Sequence, residues 1–163
     1  MTGHSRLHAW LLIVILAVSP VCVAAPPETA LSIAEESVMS ASASRPLPAC
    51  PDKPNCVSSQ AAAGDAQHFI EPLRFSGEAQ AAWAGLRRAL GAMPRTKVVE
   101  DSGDYLHAEA TSLVFRFVDD LECALDRANG VIHVRSASRV GHGDMGVNRK
   151  RVERLRELMG GRG

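Results

Sequence analysis

The sequence predicts an α+β fold: a single two-layer domain with an antiparallel sheet of about five strands and two amphipathic helices on one face. Two observations support this prediction. Residues alternate between apolar and polar from Leu113 to Leu125, which is typical of a strand with one buried face. Helical apolar stripes lie on both sides of the strand region, one before Pro94 and one after Asp144.

The first elements are predicted from apolar spacing and from the residues that interrupt it. Residues 68–75 should form an edge strand, because Pro72 cannot donate to a sheet ladder. The next helix ends at Gly91 and Pro94. Its stripe is Ala79, Trp83, Leu86, Leu90 and Met93. This pattern favours Trp83 as a core residue over a platform for ligand stacking, and residues 96–100 and 105–110 should follow as a hairpin.

The strand after Ser112 and its hairpin partner carry most of the polar residues of interest. One face is predicted to consist of Leu113, Phe115, Phe117, Leu121, Cys123 and Leu125. The other is predicted to consist of Val114, Arg116, Val118, Asp120, Glu122 and Asp126. Asn129-Gly130 is typical of a type I′ turn, which needs positive φ at both residues. Closing the hairpin there pairs Leu125 with Val134, Cys123 with Ser136, Asp126 with His133 and Asp120 with Arg139, with Glu122 diagonal to Arg135.

Asp119 breaks this pattern, because it has the parity of the apolar face. Either a bulge at 118–120 turns it outward, or its carboxylate points inward and needs polar partners. The nearby serines, Arg139 or the last helix could supply them, and the sequence leaves both alternatives open. We expect a polar network of Arg116, Asp119, Asp120, Glu122 and Arg135.

The last helix is predicted from a second apolar stripe, with Asp144 or Asn148 as its cap. The stripe is Met145, Val152, Leu155 and Met159. Its other sides are basic, with Arg149, Lys150, Arg151, Arg154 and Arg156. Residues 100–126 hold eight acids and one base, whereas residues 131–163 hold eight bases and three acids. The simplest expectation is that these two regions pair with each other.

The N-terminus has the layout of a secretory signal peptide. Arg6 precedes an apolar run from Ala9 to Val18, and small residues follow, so cleavage is predicted after Ala24. Val21 before Cys22 disfavours a lipoprotein. Residues 25–49 are predicted to be a flexible linker, residues 50–159 the folded domain and residues 160–163 a tail. The protein is expected to be periplasmic or secreted; the alternative is a membrane anchor, if the N-terminal segment is not cleaved.

The charge balance disfavours nucleic-acid binding. The chain has 18 basic and 18 acidic residues, and removing residues 1–24 removes Arg6 alone, which leaves a net charge of −1. A nucleic-acid binder would normally show a basic footprint. Membrane association is expected only if the N-terminal segment is retained.

Cys50 and Cys56 bracket a short loop stiffened by two prolines, and we expect them to form a disulfide in an oxidising compartment. A metal site with His68 as third ligand lacks a fourth ligand and the short spacing of zinc sites, so no metal is predicted. A redox pair would have two intervening residues. Cys123 is expected to be a buried free thiol.

Four segments resemble the widespread family called domain of unknown function 1499. They are CPDKPNCVSS at 50–59, RFVDD at 116–120, RSASRVG at 135–141 and DMGVNRKRV at 144–152. The resemblance covers residues 47–159, and at Cys123 it would imply a bulkier apolar residue. It implies an exported or membrane-associated bacterial domain with relatives in plastids, and it brings no known reaction, cofactor or catalytic residue.

The first functional hypothesis is a binding module for a small anionic or polyhydroxylated ligand. A glycine-flanked turn before a helix offers free amides and a positive dipole end. The groups that would bind this ligand are the hydroxyls of Ser136 and Ser138, the guanidinium groups of Arg139 and Arg149, and the amides near Gly141 and Gly143. An Arg–Asp network that only fixes the fold explains the same residues.

Two alternatives remain. A hydrolase would use Asp119 or Asp120 as acid or base, His133 or His142 as proton carrier and Ser138 as nucleophile, but nucleophile-elbow, phosphate-loop and dinucleotide motifs are absent, and no cofactor is predicted. An envelope assembly factor would present the basic helix to a partner or to anionic lipid. Glu153 and Glu157 interrupt the basic residues there, which is more typical of a solvated face.

Overall fold

The computed structural model describes residues 44–160, and these contain six strands and two helices. In chain order they are β1 (Cys56–Ser58), β2 (Leu73–Arg74), α1 (Ala79–Ala92), β3 (Thr96–Asp101), β4 (Tyr105–Thr111), β5 (Val118–Asp126), β6 (Val131–Ser138) and α2 (Val147–Leu158). The predicted signal peptide, most of the predicted linker and the last three residues lie outside the described range. Neither helix is long and apolar enough to cross a bilayer.

The described strands form one antiparallel sheet in the order β1-β6-β5-β4-β3, with β2 also paired to β6. The predicted α+β fold is confirmed. One strand more than expected is present, because the chain before α1 contributes two short strands along β6 where one edge strand was predicted. The predicted hairpin of residues 96–110 is confirmed as β3 and β4.

Both helices pack on the same face of the sheet. Trp83 and Leu86 of α1 and Val152 and Leu155 of α2 are fully buried in one apolar cluster. The sheet contributes Leu106, Ala108, Leu121, Cys123, Leu125, Ile132 and Val134 to it. Trp83 is therefore a core residue, as predicted, and the opposite side of the sheet, which we call the far face, is left for polar side chains.

The predicted register of the β5–β6 hairpin was wrong by two residues. Leu125 pairs with Ile132, Cys123 with Val134 and Asp120 with Ala137, while Glu122 lies directly opposite Arg135. Residues 127–130 form a four-residue loop, and of its members Gly130 alone has positive φ, at 63°. The Asp126 carboxylate accepts hydrogen bonds from the backbone and side-chain N–H groups of Asn129, which holds the longer loop. A shift of two preserves parity, so the predicted faces of 121–126 are correct.

The predicted strand over residues 112–117 was also wrong. Thr111 pairs with Val118, so these six residues are the connection between β4 and β5. Ser112 closes the loop at its base: its N–H donates to the Phe117 carbonyl at 2.8 Å, and its Oγ accepts from the Phe117 N–H at 2.9 Å. Leu113, Phe115 and Phe117 are therefore exposed rather than in the core.

The predicted Cys50–Cys56 disulfide is present, and Cys123 is a buried free thiol. Complete burial raises the pKa of Cys123 to about 12, so the thiol stays protonated and inert. Before the disulfide, residues 44–49 of the predicted linker lie on the far face. Leu47 is buried with Tyr105 and Ala124, and the Arg45 guanidinium stacks over the Tyr105 ring at 3.7 Å.

Candidate functional site

The structure settles the orientation of Asp119. The strand pairing of β5 is continuous through residues 118–120, so no bulge turns this carboxylate outward. Asp119 points toward the helices, where Arg151 of α2 donates to it at 2.6 Å. Only 10% of the Asp119 side chain and 11% of the Arg151 side chain are exposed. The inward alternative is therefore correct, and the last helix supplies the partner.

A buried polar cluster surrounds this ion pair between the sheet and the start of α2. We call it the helix-side cluster; it consists of Asn55, Asp119, Ser136, Ser138, Asp144, Asn148 and Arg151. Asn148 lies at its centre and is fully buried. Its amide oxygen accepts from Ser136 Oγ at 2.6 Å, and its amide nitrogen lies 3.0 Å from Ser138 Oγ and donates to the Asn55 carbonyl. Arg151 also donates to Ser136 Oγ at 2.9 Å.

The first turn of α2 already has an anionic partner, which is Asp144. One oxygen of its carboxylate accepts from the Gly146 N–H and the other from the Asn148 N–H, both at 2.8 Å. Asp144 thus occupies the amides and the dipole end that a bound anion would use. Met145, predicted to open the apolar stripe of this helix, is instead 96% exposed, and Asn148 takes the buried position before Val152.

A second polar network covers the far face. Arg139 donates to Asp120 through two nitrogens, at 3.0 and 2.7 Å, and to Glu109 at 2.6 Å. Burial raises the pKa of Asp120, but hydrogen bonds from Arg139 and His107 outweigh this effect and hold it below its ordinary value. Asp120 thus remains a carboxylate, paired to Arg139 and hydrogen-bonded to His107.

The same face carries a more buried triad beside this network. Glu122 accepts a hydrogen bond from Tyr105 Oη at 2.9 Å and one from Arg135 at 2.6 Å. Burial and the Glu122 carboxylate raise the pKa of Tyr105, so the phenol stays protonated and donates. The acidic β5 therefore pairs with the basic end of the chain on both faces of the sheet, as the charge segregation predicts.

The predicted ligand residues are divided between these two faces. Ser136 and Ser138 point toward the helices and are bonded within the helix-side cluster, whereas Arg139 lies on the far face in its ion pairs. Gly141 accepts from the Asn55 side chain through its carbonyl, and Gly143 lies in the exposed loop after it. Of the predicted polar network, Asp119, Asp120, Glu122 and Arg135 take part in these contacts. Arg116 instead lies in the 112–117 loop.

The residues of the hydrolase alternative do not assemble. His133 lies on the far face, where it approaches Ser59 and Asp126, and Ser138 lies on the helix side, hydrogen-bonded to Asn148. His142 lies in the exposed loop before α2. Asp119 and Asp120 are each bound by an arginine. Neither His133 nor His142 pairs with Ser138, so the predicted nucleophile, base and acid do not form one catalytic arrangement.

Sequence reasoning missed an aspartate–histidine pair beside the disulfide. His68 Nδ1 lies 2.6 Å from Asp65, and its Nε2 lies 3.1 Å from the Lys53 carbonyl. The hydrogen bond with Asp65 raises the pKa of His68, and the same bond lowers the pKa of Asp65. Both residues line a 290 Å³ pocket with Cys50 and Ser58. Both ring nitrogens face acceptors, the Asp65 carboxylate and the Lys53 carbonyl, so the surroundings favour the protonated ring and leave neither nitrogen free to act as a base. Residues 44–160 contain no cluster of three metal-ligating side chains.

A groove with a volume of about 730 Å³ lies between residues 69–74 and α2. Phe69, Ile70, Leu73 and Met159 make one part of its lining apolar. Arg149 and Arg156 reach across it and donate to backbone carbonyls of Gln67 and Pro72. Sequence reasoning named Arg149 but missed the groove, because α2 and residues 69–74 are distant in the chain. The adjacent apolar residues Phe69 and Ile70 were the one sequence feature that could have indicated an apolar surface here.

We predict that breaking the buried ion pair is costly. Asp119→Ala should lower the free energy of unfolding by about 3–5 kcal/mol, because it leaves the Arg151 charge buried without a carboxylate. Glu157→Ala is the matched control: it removes an exposed partner of Arg154 on the same helix and should cost less than about 1 kcal/mol. Urea unfolding of the two variants measures the difference, and equal losses would contradict the prediction.

We also predict that His68 makes stability depend on pH. Because the pKa of His68 is raised in the folded protein, the stabilisation from this residue is complete below pH 6.5, the ordinary histidine pKa. It is lost as pH rises through the pKa of the folded state. Because the pKa of Asp65 is lowered, the stabilisation from its carboxylate is lost only when the pH falls below 3.8. The stability difference between wild type and His68→Gln should therefore shrink as pH rises above 6.5. The exposed His142→Gln serves as control, and an unchanged difference across this range would refute the assignment.

The comparisons with known proteins agree with the motifs that meet in the helix-side cluster. The family model described as "Protein of unknown function (DUF1499)" matches residues 46–159. No curated protein shows significant similarity to the chain. Each of the four segments that carry the resemblance contributes to the cluster, through Asn55, Asp119, the pair Ser136 and Ser138, and the group Asp144, Asn148 and Arg151. The chain belongs to the DUF1499 family.

Proposed function

We propose that this domain is a small binding module of an exported protein, and that its groove takes a ligand with an acidic group and an apolar body. The groove between residues 69–74 and α2 is the observation that carries the proposal. Its volume, about 730 Å³, lies in the range of small-molecule sites, which are mostly apolar with a few convergent polar groups.

The charges in the groove favour an acidic group on the ligand. Arg74, Arg149 and Arg156 face two acids, Glu71 and Glu153, so the lining carries one net positive charge. Arg156 is fully engaged: its Nε binds Glu153 and its two terminal nitrogens bind carbonyls. Arg149 uses one terminal nitrogen for two backbone carbonyls, which leaves the rest of its donor fork for a carboxylate or phosphate.

Of the residues in the anion site predicted from the sequence, the groove retains Arg149. The other members of that site do not take part. Ser136, Ser138 and Arg139 already have protein partners, and Asp144 occupies the amides at the start of α2. A ligand at those groups would have to displace buried hydrogen bonds, which is costly. The groove demands no such displacement.

Export is supported by the disulfide. Cys50 and Cys56 are joined, and such bonds persist in oxidising compartments and are rare in the cytosol. The layout of residues 1–24 is that of a signal peptide. These two observations together support a periplasmic or secreted location.

We predict that octyl phosphate, a probe with an anionic head and an apolar chain, raises the melting temperature of the wild-type protein in a concentration-dependent way. A ligand stabilises the state that it binds, by about 2.7 kcal/mol at 100 times its dissociation constant. Arg149→Gln should remove most of this stabilisation, because it removes the free donor fork and the charge.

Two controls separate the groove from other anion sites. Arg154→Gln changes an exposed arginine of the same helix that does not line the groove, and should respond like wild type. Arg139→Ala should melt at a lower temperature, since its ion pairs with Asp120 and Glu109 are lost, yet keep the full response. Loss of the response in Arg139→Ala and not in Arg149→Gln would overturn the proposal.

We predict that the exported protein begins at Ala25. The small residues before this position fit a signal-peptidase site, and cleavage one residue later would put Pro26 at the scissile bond. N-terminal sequencing of protein from the periplasmic fraction tests this, and an intact Met1 on that species would contradict it.

A further inference from the structure

We propose that the loop of residues 112–117, with the apolar residues beside it, is a membrane-docking tip that inserts into the interface of a bilayer rich in anionic lipid. This inference is independent of the groove and of the N-terminal apolar run. It assigns a membrane contact to this loop of the folded domain, whereas the sequence led us to expect contact through a retained N-terminal segment, with the basic last helix as the alternative.

The loop exposes an unusual density of large apolar side chains. Leu113 is 71% exposed, Val114 75%, Phe115 74% and Phe117 51%, all within five positions. The two phenylalanine rings stack, with centroids 5.6 Å apart. The backbone is closed at Ser112 and Phe117, so these side chains stand on a defined hairpin loop at the end of β4 and β5. Contiguous apolar surface of this kind marks an interaction site.

Further apolar residues lie at the same end of the sheet. Asp119 pairs with Ser138, so the chain leaving β6 emerges beside the loop, and the Arg139 N–H approaches the Val118 carbonyl at 3.4 Å. Val140, the next residue, is 51% exposed. Asn148 Nδ2 lies 3.0 Å from Ser138 Oγ, which brings the start of α2, with Met145 just before it, to this end. Val140 and the segment before α2 thus lie at the same end of the sheet as the loop.

Cations border the loop. Arg95 donates to the Thr111 carbonyl at the base of the loop, and Arg116 lies within it. Among the described residues neither arginine forms an ion pair, in contrast to Arg139 nearby, which holds two acids. Apolar side chains bordered by arginines fit the interface of an anionic bilayer. The apolar side chains would contact the acyl chains, and the arginines would bind the lipid phosphates.

This arrangement fits a bilayer better than a protein. A symmetric contact between two copies would bring Arg95 and Arg116 toward their own equivalents without carboxylates to balance them. A stable interface with another protein buries about 800 Å² on each partner, so it would have to extend well beyond the six-residue loop. A bilayer sets no such minimum, since it accepts each apolar side chain separately.

Hydrogen exchange of the loop amides tests the proposal on the full chain, whether or not its N-terminus is anchored. Within the described residues the N–H groups of residues 113–116 donate no hydrogen bond, so they exchange fast in solution. With vesicles of phosphatidylcholine containing about one third phosphatidylglycerol, exchange of these amides should slow by at least about tenfold. With phosphatidylcholine alone, or with Arg95→Gln and Arg116→Gln together, the slowing should be several-fold smaller.

Matched double variants complete the test. Phe115→Ser with Phe117→Ser should abolish the vesicle-dependent protection, and Val98→Ser with Val99→Ser should retain it, because those exposed valines lie on the edge strand β3. Equal melting temperatures would show that both variants fold. Unchanged loop exchange with anionic vesicles overturns the proposal, as does loop protection that grows with protein concentration without lipid, which would indicate self-association. Arg149→Gln should leave the protection intact, so the groove and the tip are tested separately.

Discussion

The ion pair between Asp119 and Arg151 is the constraint around which the rest of this domain is arranged. A carboxylate on the core face of a central strand is costly to bury without a partner. Arg151 supplies that partner, and its other nitrogen binds Ser136, so the helix is held at one distance and one rotation relative to β5 and β6. Asn148, one turn earlier in α2, bonds both Ser136 and Ser138. The apolar contacts of Val152 and Leu155 then follow from the position that these polar bonds fix.

This constraint also explains why the start of α2 is a poor place for an anion. Most of the polar groups there are already satisfied by one another, with Asp144 on the first-turn amides and Asn148 on the serines, although the buried Asn55 Oδ1 has no hydrogen-bond partner. A cluster in which most members have partners rigidifies a core, whereas a binding site needs donors that are still free. Free donors occur instead at the periphery, on Arg149 beside the groove and on the arginines beside the 112–117 loop.

The sequence predicted correctly which face of the sheet the residues of β5 occupy. It predicted poorly which residues pair across the hairpin and where the strand begins. Alternation identified which residues of β5 face the helices, and those faces survived a register shift of two because parity is unchanged by an even shift. The turn type could not be predicted, because it depends on hydrogen bonds from Asn129 to the Asp126 carboxylate. Turn propensities of single residues do not include such a side-chain contact. Alternation also continued through Leu113 to Phe117, where the structure has a loop. Periodicity cannot distinguish an apolar strand face from an apolar loop that faces outward.

The candidate sites were harder to predict because they join distant parts of the chain. Arg149 and Arg156 look like a solvated helix face in sequence, and they become the wall of a groove only when residues 69–74 pack beside α2. The segments that carry the family resemblance mainly build the buried cluster. The apolar lining from residues 69–74, Arg156 and the first half of the 112–117 loop lie outside those segments. In this chain the family resemblance is therefore carried mainly by the contact between α2 and the sheet. The proposed ligand and the proposed membrane contact depend partly on residues outside those segments, so they must be established in each protein separately.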